Sequence, residues 1–129
     1  MLTDVSGSSD YFLFGAVTYS NHAKVDVLGV SAQTIERCGA VAEETAAEMA
    51  AGVRRRAGAV YGISTTGVAG PTGGTVAKPV GTVCVGLCGP FGTLSRRHHF
   101  FFDNRRMHKR IFAYAAMDLL RQRLLDDGR

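Results

Sequence analysis

Apolar positions recur along the chain in two rhythms, and the changes between them mark out the expected elements. Phe14-Gly15-Ala16-Val17-Thr18-Tyr19 carries aromatic and β-branched residues and predicts a strand, which Ser20-Asn21 ends by offering a cap for a short helix from His22 to Leu28. Gly29 closes that helix. Ser31 caps a second short helix that runs through Cys38 and stops at Gly39. From Glu43 to Arg56 the row Thr45, Ala46, Met49, Val53 repeats at three and four residues, with acids at its start and Arg54-Arg55-Arg56 at its end, as the helix dipole favours. A helix is predicted there. Ala59 to Thr65 predicts a strand, and Val80 to Cys88 a second one, apolar without alternation and therefore buried on both faces. Gly89-Pro90-Phe91-Gly92 reads as a hairpin connection into a strand from Thr93 to Phe102. Beyond the cap pair Asp103-Asn104, the pairs Ile111/Phe112, Ala115/Ala116 and Leu119/Leu120 return every four residues, which predicts an amphipathic helix to about Leu125. The class is α/β: a single domain with a mixed β-sheet flanked by helices.

Composition narrows the picture. A length of 129 residues suits one domain and leaves no room for a second core, and 46% apolar with 20% charged residues is globular rather than disordered. Lys and Arg exceed Asp and Glu to leave a net charge of +4, which suits an anionic ligand. The basic residues form no stripe, so no nucleic-acid partner is expected. Sixteen glycines concentrate between Gly58 and Gly92, where the backbone must meet unusual demands. Cys38, Cys84 and Cys88 are odd in number and lack a CxxC pair, which argues against a disulfide framework or a zinc ribbon and for the reducing cytoplasm. No apolar run approaches the roughly twenty residues that cross a bilayer, and Met1-Leu2-Thr3-Asp4 lacks the start of a secretion signal. No membrane partner is expected, and a homo-oligomer stays open.

The sharpest motif is Thr65-Thr66-Gly67-Val68-Ala69-Gly70-Pro71-Thr72-Gly73-Gly74-Thr75, followed by Lys78-Pro79-Val80-Gly81-Thr82-Val83. Its glycines do not spell GxGxxG, and no Lys-Ser or Lys-Thr follows as in a P-loop. What remains is a long loop, Gly67 to Pro79, whose backbone N–H groups could form an anion-binding nest with Lys78 as a nearby point charge. The plainer alternative is a surface loop with glycines at its turns, although loops of this length in small domains tend to carry function. Tyr19 and Lys24 flank the step from the first strand into the first helix, where a desolvated Lys can act as a base and a Tyr can relay a proton. Against this stands an ordinary surface lysine and a half-buried strand tyrosine. Arg105, Arg106, Lys109 and Arg110 crowd the start of the last helix against its dipole, which suggests an anion held by Arg105 or Arg110; a solvated basic face accounts for Arg106 and Lys109. His98 and His99 point to opposite faces of a strand, and His22 and His108 lie elsewhere, so no metal site is proposed.

Taken in order, Gly7-Ser8-Ser9, Val17-Thr18-Tyr19-Ser20-Asn21 with Lys24, Leu28-Gly29-Val30, Gly39-Ala40-Val41, Glu48-Met49-Ala50, the glycine loop, Lys78-Pro79-Val80-Gly81-Thr82-Val83 and Asn104-Arg105 form a pattern. It resembles the C-terminal domain of the competence-damage protein CinA, the nicotinamide-nucleotide amidase family, over nearly the whole chain. The resemblance implies hydrolysis of the carboxamide of nicotinamide mononucleotide to nicotinate mononucleotide and ammonia, with no metal or other cofactor. It implies that Lys24 and Tyr19 assist a serine nucleophile. Thr66 and Arg105 would bind the nucleotide, and Gly67, Ala69, Gly70 and Lys78 would complete the substrate-binding loop.

The chain also departs from the family pattern. Members carry a helix and a strand leading to a Glu-Ser-Cys-Thr-Gly-Gly segment that supplies the nucleophile, and no such segment occurs in these residues. The expectation is a domain spanning 1–129 that lacks the family's first strand and is incomplete at its N-terminus. Ser6, Ser8, Ser9 and Ser20 do not match the nucleophile's position. Ala42 stands where the family usually has a capping Ser, a loss of about 1 kcal/mol at an N-cap. Two functions follow: an amidohydrolase of pyridine nucleotide recycling that needs the absent serine, or a catalytically inactive relative that binds nucleotide or a protein partner.

Overall fold

The computed structural model describes residues 1–128. A 3-10 turn at Ser8–Asp10 precedes α1 (Asn21–Leu28), α2 (Ala32–Cys38), α3 (Glu43–Ala57), β1 (Gly62–Gly67), β2 (Thr82–Gly89), β3 (Gly92–His99) and α4 (Arg105–Asp126). The sheet runs β1-β2-β3, antiparallel at both seams. All of β2 is buried, as its unbroken apolar run requires. Val83, Val85 and Leu87 pack against Phe112, Ala116 and Leu119 of α4 to form the main core. On the opposite face lies α3. Its backbone comes so close to the sheet that a Cβ on Gly86 would sit 2.3 Å from the Ala46 carbonyl oxygen, so only glycine fits there. The Ser64 hydroxyl donates to that same carbonyl at 2.6 Å, which locks β1 to α3. Leu28, Val30 and Met49 form a smaller apolar cluster that holds α1 to α3.

Local signals account for the helix ends. Ser20 caps α1, its hydroxyl accepting from the Ala23 N–H at 3.0 Å, and Gly29 closes the helix in the left-handed region. Asn104 caps α4 by accepting from the N–H groups of Arg106 and Met107. Ala42 occupies the N-cap of α3 without a side-chain acceptor, and Glu43 and Glu44 in the first turn supply the negative charge that the dipole favours.

A single α/β domain with flanking helices is as expected, but among the described residues the sheet is antiparallel throughout rather than mixed. The strand needed for parallel pairing, Phe14–Tyr19, does not form. Strand propensity reports how well a residue fits a pleated, half-buried surface, and this segment lies against none: Val17 is 90% exposed and Tyr19 81%. All three strands are also shorter than predicted, and β2 begins at Thr82 rather than Val80. Residues 59–61 stay outside β1 because Arg54 draws the Val60 carbonyl onto its guanidinium at 2.9 Å. β3 stops at His99 because the next pair is only half made: the Phe100 N–H still donates to the Gly81 carbonyl, but the Gly81 N–H goes to the Val68 carbonyl and the Phe102 N–H to the His108 ring.

Candidate functional site

The glycine loop leaves the end of β1 and returns into β2, and neighbouring elements hold it by its carbonyl groups. Val68 exchanges bonds with the β2 entry, its N–H donating to Thr82 and its carbonyl accepting from Gly81, both at 2.8 Å. The Ala69 carbonyl accepts from Nδ1 of His108 at 2.9 Å, and the Gly70 carbonyl from Nη1 of Arg105 at 2.7 Å. Arg97 of β3 donates to the Ala77 carbonyl, and His99 contacts that of Val80 at 3.0 Å. With the carbonyls turned inward, the N–H groups of Thr72, Gly73 and Gly74 meet no protein acceptor among the described residues, and these residues are exposed. Such a row of unmet donors is what an anion or a developing oxyanion requires.

Tyr19, Arg105 and Gly70 come together, and Lys24 is tied to the residue before Tyr19. Arg105 donates through Nη2 to the Tyr19 hydroxyl at 3.2 Å while Nη1 holds Gly70, so one guanidinium joins the α1 approach to the glycine loop. Lys24 is only 6% exposed, and its Nζ donates to the Thr18 carbonyl at 2.8 Å, one residue from Tyr19. Burial pushes the Lys24 ammonium below the ordinary lysine value. A neutral amine thus forms more readily here than on the surface, as a general base needs.

Of the other expected residues, Thr66 and Lys78 turn away from this group. Thr66 is buried, and its hydroxyl donates to the Ala40 carbonyl at 2.7 Å; Lys78 donates its Nζ to the Cys38 carbonyl. Both therefore tie the loop and β1 to the α2–α3 link, and Lys78 is a strut as well as a point charge. Gly67 closes β1, where a Cβ would meet Phe112 at 2.7 Å and the Thr82 carbonyl oxygen at 2.8 Å. Ala69 faces α4 through its carbonyl. Beside Arg105 lies an open depression of about 740 Å³, lined by Met1, Asn104, Arg106, Lys109 and Arg110 as well as Arg105 itself. The first turn of α4 holds no acid.

Residue-type reasoning passed over His108, which is buried and grips the loop. A signal was present: His108, Phe112, Ala116 and Leu119 share the three-and-four spacing of the buried face of α4. Among the described residues no cluster of His, Cys, Asp and Glu could hold a metal ion, and no helix is long and apolar enough to cross a membrane.

Residues 1–124 match the CinA C-terminal domain family, and the chain belongs to it. It is 62% identical over 125 residues to a CinA-like protein of Desulfosudis oleivorans, covering 97% of this chain and 30% of that protein. A CinA-like protein of Desulforapulum autotrophicum is 59% identical over 128 residues, covering 99% of this chain and 30% of the relative. The chain thus spans about 30% of the length of these curated relatives. Among solved structures, the competence/damage inducible protein CihA from Agrobacterium tumefaciens superposes with a TM-score of 0.88 at 37% identity, over 92% of this chain and 73% of that one. A CinA superfamily protein from Escherichia coli gives 0.88 at 33% identity, over 94% and 70%.

Proposed function

We propose that this domain binds a pyridine mononucleotide and contributes the base and the anion-binding groups for hydrolysis of its carboxamide. The nucleotide is nicotinamide mononucleotide, and the products are nicotinate mononucleotide and ammonia. The observation that carries this reading is the Arg105 guanidinium bridging the Tyr19 hydroxyl and the Gly70 carbonyl, with the buried Lys24 held by the carbonyl of Thr18, the residue before Tyr19. This arrangement supports a reading in which Arg105 takes the phosphate and Lys24 and Tyr19 move the proton. In the reaction a serine hydroxyl adds to the amide carbon, Lys24 takes its proton, and the N–H groups of the glycine loop receive the negative charge on oxygen. Protonated nitrogen leaves as ammonia, and water then releases the acid from the acyl ester. The serine comes from a Glu-Ser-Cys-Thr-Gly-Gly segment, which residues 1–129 do not contain.

Two measurements test this. Calorimetry should give tighter binding of nicotinamide mononucleotide than of nicotinamide riboside, with the difference lost in Arg105→Ala. Equal binding of the two ligands would remove the phosphate assignment. Residues 1–129 alone should release no ammonia above background, while the same residues joined to the Glu-Ser-Cys-Thr-Gly-Gly segment should turn over. Binding by the extended protein without ammonia release would favour the non-catalytic, nucleotide-binding alternative.

A further inference from the structure

His108 makes one of the two contacts through which α4 grips the glycine loop, the other being that of Arg105. Its side chain is 1% exposed, so both ring nitrogens depend on protein partners. Nδ1 faces the Ala69 carbonyl at 2.9 Å, and Nε2 faces the Phe102 N–H at 3.1 Å. A carbonyl only accepts and an amide N–H only donates, so the ring carries its proton on Nδ1 and a lone pair on Nε2. One neutral tautomer satisfies both contacts. Its aromatic surroundings do not explain a histidine: Phe102 and Phe112 pack on the ring with centroids 5.9 and 5.8 Å away, and a phenylalanine would suit them equally. What phenylalanine could not do is meet the two backbone groups.

The geometry has a direction. Ala69 and Gly70 are consecutive, and their carbonyls are taken by His108 and Arg105, which stand three residues apart on one face of α4. Val68 is already paired with the β2 entry, so Arg105 alone would give α4 a single hold at Gly70; His108 adds a second at the adjoining carbonyl and fixes the orientation of the peptide between them. Gly81 leaves room for the ring, since a Cβ there would stand 3.2 Å from Nε2 and 2.0 Å from the Phe100 carbonyl oxygen. We propose that His108 is a positioning residue: a neutral imidazole strut that sets the glycine loop, and with it Arg105, for anion binding without touching the ligand. This deepens the proposed function and rests on it for the identity of the ligand, while the position of the loop can be read without any ligand.

The test compares His108→Asn, whose amide N–H replaces the Nδ1 donor, with His108→Gln, whose amide reaches toward the Nε2 position, and with His108→Phe. In the unliganded protein, amide NMR signals of Ala69, Gly70, Gly73 and Gly74 should stay near their wild-type positions in His108→Asn and move in His108→Gln and His108→Phe. Nitrogen-15 spectra of the wild-type ring should show the Nδ1–H tautomer. Binding of nicotinamide mononucleotide should fall at least tenfold in His108→Phe and His108→Gln and recover in His108→Asn, with similar melting temperatures for the Asn and Gln variants. An Nε2–H ring, or loop signals that move alike in Asn and Gln, would overturn the proposal. Wild-type protein that binds no nucleotide but shows the expected loop signals would overturn the ligand assignment and leave the strut standing.

Discussion

Two segments of similar apolar richness meet opposite fates. β2 is buried along its whole length, paired on both sides and covered by α3 and α4. Residues 12–19, with Phe12, Leu13, Phe14, Val17 and Tyr19, pair with no strand and leave most of these side chains exposed. Hydrophobic content is thus not what makes a strand. A strand exists when its N–H and C=O groups find a partner strand, as the largely exposed β3 finds β2, and the same preference without a partner yields an exposed, extended segment. The site inherits this contrast. Its glycine loop springs from the firmly paired strands, whereas Tyr19 and the Thr18 carbonyl that holds Lys24 hang from the unpaired segment.

The largest effect tests whether the unpaired side carries chemistry at all. In protein extended by the Glu-Ser-Cys-Thr-Gly-Gly segment, Lys24→Ala should cut ammonia release by about 10³-fold, roughly 4 kcal/mol in the barrier. An unimpaired variant would assign the base elsewhere and leave the loop as the only functional half. Next in size, Gly86→Ala should destabilise the fold by about 3 kcal/mol in urea unfolding, because its Cβ meets the Ala46 carbonyl oxygen and the Ser64 hydroxyl with no room to yield. A loss below about 1 kcal/mol would mean that the contact between α3 and β2 adjusts freely. Val17→Ala in the exposed segment should stay within about 0.5 kcal/mol of wild type, and a larger loss would show that residues 12–19 pack in solution.

The smallest effect is a slope. Since burial lowers the pKa of Lys24, the unfolded chain binds more protons than the folded one between the lowered value and the ordinary one, and stability rises with pH across that window. Lys24→Met removes the titration. Urea midpoints at about pH 7 and about pH 10 should therefore show the wild type gaining on the variant as pH rises. A gap that stays constant would mean that Lys24 is better solvated than its burial implies.

Much of this protein was legible in its residues taken a few at a time. The Ser20 and Asn104 caps, the Gly29 stop, the apolar faces of α3 and α4 and the continuous burial of β2 all came from the sequence, because each depends on neighbours within one or two turns or on a short run. The glycine loop, Tyr19, Lys24 and Arg105 also stood out by residue type, and three of these four meet at the Arg105 guanidinium. Tertiary structure alone decided that Phe14–Tyr19 stays unpaired, that Thr66 and Lys78 turn toward the α2–α3 link, and that His108 grips Ala69. Those outcomes turn on partners 26, 40 and 39 residues away, or on the lack of one. Local propensity carries no information about which distant carbonyl will be within reach once the sheet and helices have packed, and the need to satisfy buried polar groups makes that choice.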